Sequence, residues 1–445
     1  MIRLAGNANA AERMENIVLI SFDSLRSDFV AQLNPAEAPN FCRMRDEGAF
    51  FSNTIVHVPC TLPSHASMLS GLYPARTGVR DMHHKVPPEV PTLFSILRER
   101  GFYTIGSSTT PMLTASRAGY KGIDEHVLFR HGPLRKSITA VKGKRLFVFL
   151  HCWGTHTPYE TRLPGMRPAD VALNVLGATR ELENYRGVRR IGDMLWLARV
   201  KRIRAMVKER HSGIIPALKR GYKRALFKAD RFLNGILEIL KEANLAEKTL
   251  VVVTGDHGDS FNEHGEIDKA SNGRYEHGQF LYDNVLKVPL IFFCPGRRFA
   301  QTFDAQIQQI DITPTLLEAL GIEHNGPMDG SSLWSNSIIG AMPPKETFAF
   351  SEVVRESLNA ELRCVRSPSH KLLRDYKSNT CELYDLRADP EEKNDLYPTD
   401  RCAEKAMLLD QLQAFSEFTS IDKAACTDSE QRQIQETLRN LGYID

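Results

Sequence analysis

Residues 16–22 read NIVLISF, a short, mainly apolar run with β-branched side chains that ends at Asp23. A run of this length bounded by polar residues predicts a buried strand that delivers its last residue to one edge of a sheet. The pattern recurs. LFVFL at 146–150 leads into His151, TLVVVT at 249–254 leads into Gly255, Asp256, His257 and Gly258, and VPLIFF at 288–293 ends at Cys294. Between these runs lie helix-length stretches such as 66–72, 92–100 and 224–243. Strands alternating with helices predict an α/β fold with a largely parallel sheet covered on both faces. The polar residues that follow the strands then meet at one sheet edge, where such folds bind ligands.

Residues 326–344, GPMDGSSLWSNSIIGAMPP, are rich in Gly, Ser and Pro and predict a boundary. We place a catalytic domain at 1–335 and a small C-terminal domain at 336–445. In the latter, 346–352, 362–366 and 371–374 are expected as short strands, and 408–418 and 428–441 as helices.

Composition narrows the class. Of 445 residues, 42% are hydrophobic and 25% charged, which is ordinary globular usage and excludes a disordered or fibrous chain. The net charge of +3 gives no sign of a polyanion-binding tail, so no nucleic-acid partner is expected. The first residues lack the apolar core of a secretion signal, and no run of about 18 apolar residues predicts a transmembrane segment. A cytoplasmic protein is expected, with its eight scattered cysteines reduced. A homo-oligomer is compatible with all of this.

The densest chemistry is Thr254 to Gly258, TGDHG. A carboxylate and an imidazole side by side after a buried strand can turn to one divalent ion; the bland alternative is a turn whose Asp256 caps a helix. A second cluster is PCTLPSHASMLSG at 59–71. Thr61 there would stand at a helix N-terminus, where free N–H groups and the backbone dipole stabilise an anion or alkoxide. An ordinary N-cap with a packed His65 is the alternative. Asp23, His156, His264 and His277 are weak signals singly. Together they place acids and imidazoles after successive strands, at one edge.

These motifs resemble the sulfatase family of the alkaline phosphatase superfamily. NIVLISFDSLRSD, TLPSHASMLSGLYPARTGV, HTPY, TGDHGDSFNEHG, YEHGQFLYDNVLKVPLIFFCPG, QIDITPTLLEALGI, MDGSSL and ELYDLRADPEEKNDL follow one another in the family's order. The resemblance implies a large mixed, mostly parallel sheet between helices, followed by a small C-terminal domain with a four-stranded antiparallel sheet. It makes Asp23, Asp256 and His257 metal ligands and puts Thr61 at the nucleophile position, also bound to the metal. His156 and His277 match positions that contact the substrate's anionic group, and His65 joins the catalytic set. Three departures stand out. Ordinary sulfatases carry Cys-x-Pro-x-Arg, whose Cys becomes formylglycine, whereas this chain reads Thr61-Leu62-Pro63-Ser64-His65, with Cys60 one residue early. The usual Asp-Asp after the first strand is here Asp23-Ser24, and His257 stands where many sulfatases have Asn. The family's Gly-Lys-Trp-His segment is replaced by SSTTPML.

Thr in the nucleophile slot is similar to the nucleotide pyrophosphatase and phosphodiesterase branch. The expected function is therefore metal-dependent hydrolysis of sulfate or phosphate/phosphonate esters by Thr61. The mixed donor set favours Mn²⁺ or Zn²⁺, with Ca²⁺ as the oxygen-preferring alternative. Two other functions stay open, a phosphoryl or phosphoethanolamine-type transferase and an inactive binding protein. Residues 163–221 have no family counterpart and are expected to form a basic helical insertion, with Ile191, Leu195, Ala198, Arg202 and Ala205 as its inner stripe. Between 180 and 224 there are 14 Lys and Arg against 4 acids, so the near-neutral total conceals a basic segment able to attract a polyanionic ester or a membrane surface.

Overall fold

The computed structural model of the chain describes residues 14–127, 129–141, 143–159, 191–270, 274–335, 348–355, 359–399 and 403–418. Its main sheet orders the strands β4-β3-β5-β1-β6-β7-β2-β8, with β9 also paired to β2. Here β1 is Asn16–Phe22, β2 Ala49–Ile55, β3 Tyr103–Ser108, β4 Glu125–His126, β5 Leu146–Cys152, β6 Thr249–Gly255, β7 Lys287–Phe293, β8 Gln301–Phe303 and β9 Ile307–Gln308. The pairings β1–β5, β1–β6 and β3–β5 are parallel, whereas β7 runs antiparallel to both β6 and β2. The sheet is thus mixed and mostly parallel, as expected.

Apolar runs without alternation are explained by burial on both faces. In β1, Ile17 and Leu19 enter one core with Phe147 and Val252, while Val18 and Ile20 enter the opposite core with Val148 and Val253. Neighbouring strands reach the edge in register. Ser21 pairs with His151 on one side and with Thr254 on the other, so Asp23, His151 and Asp256 emerge together.

Four strands, β10 (Ala349–Arg355), β11 (Ala360–Arg366), β12 (His370–Asp375) and β13 (Thr380–Asp385), form the antiparallel C-terminal sheet. One face packs Val365, Leu372 and Leu383 against Leu408 and Leu412 of the Ala403–Phe418 helix. The other packs Cys364, Leu373 and Tyr384 against Ile55, Leu281 and Val285 of the main domain. The boundary drawn at 335 borders residues 336–347, and these lie outside the described residues, as does the helix expected at 428–441. No described helix is long and apolar enough to cross a membrane.

The basic insertion is helical where it is described, over Ile191–Lys208 and Ile214–Glu242. Its end point at 221 therefore falls inside a helix. The expected inner stripe holds in part: Ala198 is buried, Ala205 is half-buried and Arg202 is exposed, Val200, Ile203, Met206 and Val207 are buried as well, and the side chains of Ile191 and Leu195 lie outside the described ones. Arg202 gives way to Ile203 on the inner face, because Val200 and Ile203 carry more apolar surface than the alanines beside them.

The two sheets are also joined by a buried ion cluster. Lys371 lies 3.0 Å from Asp283 and 2.7 Å from Glu392, and Arg366 lies 2.9 Å from Asp283. Burial alone would raise the Asp283 carboxyl, but Arg366 and Lys371 outweigh it and hold it far below the usual carboxylate range. Removing one member leaves buried charge uncompensated, which costs about 3–5 kcal/mol. We predict that Asp283→Asn lowers the urea-derived unfolding free energy by that amount. Because the folded carboxyl is the stronger acid, its contribution is complete above the unfolded value of about 4 and is lost as pH falls towards the folded value. Wild-type stability should accordingly decline more steeply in acid than that of the variant.

Candidate active site

Asp23, 1% exposed, follows β1, and Asp256 and His257, both fully buried, follow β6. The chain turns sharply at each place. Ser24 adopts a left-handed φ of 62°, which costs a non-glycine residue about 1–3 kcal/mol and persists only where the surroundings over-determine it. They do so here. The Ser24 N–H donates to Asp256 Oδ1 at 3.0 Å, its hydroxyl donates to Asp23 Oδ1 at 3.0 Å, and its carbonyl accepts from the Tyr222 hydroxyl at 2.7 Å. Gly258 closes the second turn, where a methyl group would lie 2.1 Å from the Asn284 carbonyl oxygen.

The donor atoms converge. His257 Nε2 lies 3.7 Å from Asp23 Oδ1 and 3.6 Å from Asp256 Oδ2. Neither His257 Nε2 nor Asp256 Oδ2 has a hydrogen-bond partner although both are buried. Burial, reinforced by Asp23, raises the Asp256 carboxyl, with His257 opposing. Burial would lower His257, but Asp256 and Asp23 outweigh it and raise the imidazole. Orphaned buried polar atoms are rare in native proteins and call for a missing partner. Two carboxylates and an imidazole facing one point fit a divalent cation.

Thr61 opens the Thr61–Ser70 helix, as the first-turn position requires, and is 3% exposed. That helix is tied to the metal-type turn through Ser64, whose hydroxyl lies 2.5 Å from the Asp256 carbonyl oxygen and 2.8 Å from Gln309 Oε1. Gln309 Nε2 in turn donates to the Gly255 carbonyl at 2.9 Å. Cys60, at the N-cap, is 4% exposed, and burial pushes its thiol up to about 12.

His65, expected in the catalytic set, lies 3.9 Å from Asp256 Oδ2. Its Nδ1 bonds the Thr61 carbonyl at 2.6 Å and its Nε2 meets the Ser21 hydroxyl at 2.9 Å, so both nitrogens are occupied and the ring clamps the helix start onto β1. His156 and His277 do come together, with ring centroids 5.0 Å apart, and His277 lies 4.3 Å from the His257 ring. His277 Nδ1 is held by Asp259 Oδ1 at 2.9 Å, leaving a buried Nε2 without a partner. Burial holds His156 down to about 4, and burial with the adjacent His257 holds His277 well below the usual imidazole value. His264 is not part of this group; it stacks on Tyr282, centroids 3.9 Å apart.

Three residues escaped the sequence reading. Asp259 follows TGDHG directly and was readable as a further acid in that motif. His151 ended a predicted strand, and its Nε2 lies 3.5 Å from Asp23 Oδ2 and 3.9 Å from Asp256 Oδ2. Arg355, 4% exposed at the end of β10, had no local signal. Its Nη1 donates to the carbonyl of Gly278 at 3.4 Å, next to His277, and its buried Nη2 has no hydrogen-bond partner.

With this geometry in place, the comparison with known proteins is decisive. A sulfatase family model matches residues 15–137 and 133–322, well over half the chain. The chain belongs to the sulfatase family. A model of the C-terminal part of N-sulphoglucosamine sulphohydrolase matches residues 271–417 of this sulfatase-family chain. The delta 4,5-hexuronate-2-O-sulfatase of Bacteroides thetaiotaomicron is 24% identical to it over 432 residues, 89% of this chain and 87% of that protein. A protein solved in complex with its substrate D-glucosamine-2-N,6-O-disulfate superposes with a TM-score of 0.69 at 19% identity, covering 92% of this chain and 98% of that one. Phosphonate monoester hydrolase of Agrobacterium radiobacter gives a TM-score of 0.66 at 15% identity, with 91% and 96% covered. Both structures share the fold, and family membership makes this chain an ester-hydrolysing enzyme.

The insertion supports this site from below. Tyr222, on the Ile214–Glu242 helix, also accepts from the Arg26 N–H at 2.8 Å, and Arg204 on the preceding helix pairs with Glu276, beside His277, at 2.8 Å. We predict that Tyr222→Phe, which removes both hydrogen bonds across the Asp23–Ser24 turn, destabilises the protein by about 1–3 kcal/mol in denaturant unfolding.

Proposed function

We propose that this protein is a metal-dependent hydrolase of sulfate or phosphate/phosphonate esters with Thr61 as nucleophile. The observation that carries the proposal is the placing of Thr61 at a helix N-terminus tied directly to a cluster of buried, partnerless acid and imidazole atoms. A divalent ion held by Asp23, Asp256 and His257 would acidify the Thr61 hydroxyl and neutralise the ester's oxygens. Thr61 attacks the sulfur or phosphorus atom, its oxygen forming a new ester bond as the bond to the substrate alcohol breaks. The helix dipole and first-turn N–H groups favour the alkoxide at that position. The proton lost by Thr61 is taken up by His277 at its partnerless Nε2, its Nδ1 being anchored by Asp259, or by His156, and is passed to the leaving oxygen, which departs as the alcohol. Water then cleaves the Thr61 ester, releasing the inorganic anion and restoring the hydroxyl.

Arg355, whose Nε is held 3.3 Å from Asp81 Oδ1 while its Nη2 has no hydrogen-bond partner, takes the place of the absent Gly-Lys-Trp-His lysine. It reaches the His277 loop from the C-terminal sheet. The delta 4,5-hexuronate-2-O-sulfatase and the glucosamine disulfate complex support a sulfated, anionic sugar as substrate, and the phosphonate monoester hydrolase supports phosphonates as second choice. The exposed basic residues of the insertion, Lys201, Arg202, Lys219 and Arg220 among them, suit such an anion.

Activity should appear in a panel of sulfate, phosphonate, phosphomonoester and phosphodiester substrates with added divalent metals. Thr61→Ala is expected to lose at least about 10³-fold in kcat, by analogy with the loss of other covalent nucleophiles; retention of full turnover would sink the assignment. The peptide containing Cys60 should show an unmodified thiol by intact mass, since a converted residue would supply a rival nucleophile. Arg355→Met should raise KM for the anionic ester about 10–100-fold, the loss of roughly 1.5–3 kcal/mol from a charged hydrogen bond, while urea unfolding shows the fold intact.

A further inference from the structure

His151 belongs to the same cluster, and its protonation can be read from its neighbours. The Ser108 hydroxyl donates to the Thr110 carbonyl at 3.0 Å, so its oxygen accepts from His151 Nδ1, 3.1 Å away. The proton of the neutral ring therefore sits on Nδ1 and the Nε2 lone pair points inward. That nitrogen is buried and has no hydrogen-bond partner. His257 repeats the arrangement: its Nδ1 meets the Gly258 carbonyl, an acceptor only, at 2.8 Å, so its Nε2 lone pair also points inward. His151 Nε2 lies 3.5 Å from Asp23 Oδ2 and 3.9 Å from Asp256 Oδ2, and His257 Nε2 lies 3.7 Å from Asp23 Oδ1 and 3.6 Å from Asp256 Oδ2, so the two imidazole lone pairs flank the same two carboxylates, each facing a different oxygen of Asp23. Four donors about 2.0–2.1 Å from a tetrahedral ion would be spaced about 3.3 Å apart, and the four imidazole–carboxylate separations stand a few tenths of an ångström outside that spacing, with Asp23 turning one oxygen to the ion.

We propose that His151 is a fourth protein ligand beside Asp23, Asp256 and His257, and that this two-imidazole, two-carboxylate set selects Zn²⁺ over Ca²⁺ and Mg²⁺. The inference rests on the metal site of the proposed function and goes beyond it in naming the ligand and the ion. Oxygen-preferring ions take carboxylates, carbonyls and water, whereas imidazole suits Zn²⁺ and its neighbours, and Zn²⁺ outranks Mn²⁺ at nitrogen and oxygen sites. The segment SSTTPML acquires a task in consequence. Where related chains bring a lysine, this one brings Ser108, which fixes the His151 tautomer.

The test is metal binding by the full chain after chelator treatment, read by elemental analysis and by the visible absorption of Co²⁺ as a Zn²⁺ surrogate. The expected result is one Co²⁺ per chain with the intense visible bands of a four-coordinate site, displaced by equimolar Zn²⁺ and untouched by 100-fold excess Ca²⁺. His151→Ala should weaken the bands and lower Zn²⁺ affinity by more than the roughly 10–100-fold that loss of an orienting partner brings, and Ser108→Ala should fall within that range. Should His151→Ala not fold, His151→Asn and Ser108→Ala make the same comparison. An unchanged Co²⁺ spectrum and affinity in the His151 variants would overturn the ligand assignment, and displacement of Co²⁺ by Ca²⁺ would overturn the selectivity. A wild-type chain that binds no ion at all would instead overturn the metal site of the proposed function.

Discussion

Two carboxylates buried side by side at the C-terminal edge of β1 and β6 set the terms for the rest of this structure. Asp23 and Asp256 are 1% and 0% exposed, and in a medium of low polarity their mutual repulsion and lost hydration are expensive. Neighbouring groups relieve only part of this. Asp256 Oδ1 accepts two backbone N–H groups, from Ser24 and His257, and its Oδ2 is left without a hydrogen bond, 3.6 Å from His257 Nε2 and 3.9 Å from His151 Nε2. Such an arrangement is costly as a fold and useful as a site, because acid and imidazole atoms left without hydrogen bonds are free to meet a ligand.

Much of the surrounding chain reads as a device for holding that geometry. Ser24 is kept in a left-handed conformation by bonds to three separate places, one of them Tyr222 on the inserted helix. Ser64 and Gln309 tie the Thr61 helix and the QIDITP segment to the TGDHG turn. His65 clamps the same helix to β1. The insertion, which sequence patterning reduced to a basic helix with a core-facing stripe, packs Ile203, Met206, Tyr222 and Leu226 into the core and sends Arg204 to the acid beside His277. Its basic outer face stays in water. One segment thus serves stability with its inner side and leaves its charge available to an anionic substrate.

The C-terminal sheet is likewise more than an appendage. Its inner face is cemented to the main domain by apolar contacts and by the Asp283, Lys371, Glu392 and Arg366 cluster, and the end of β10 carries Arg355 to the loop of His277. A charge delivered by a rigid strand is better placed than one on a free loop, since little ordering remains to be done when an anion arrives.

Strands β1, β5, β6 and β7 were legible because each is a short apolar run, and the acids and histidines that follow them inherit their place from the strand's end. β2 and β3 were not read: AFFSNTI mixes polar residues into its run, and YTIGSS carries Gly and Ser where a buried strand has branched side chains. The sequence alone determined the mixed α/β architecture and put Asp23, Thr61, Asp256 and His257 at element ends, since periodicity and turn residues act over a few neighbours. Only the tertiary structure decided that β1 lies between β5 and β6, and with it that His151 joins those acids, that both nitrogens of His65 are spent, and that Arg355 reaches the site. Those outcomes depend on which elements become neighbours, His65 with Ser21 across 44 residues, Arg355 with Gly278 across 77 and His151 with Asp23 across 128, a choice made by burying whole faces together, and no local pattern encodes it.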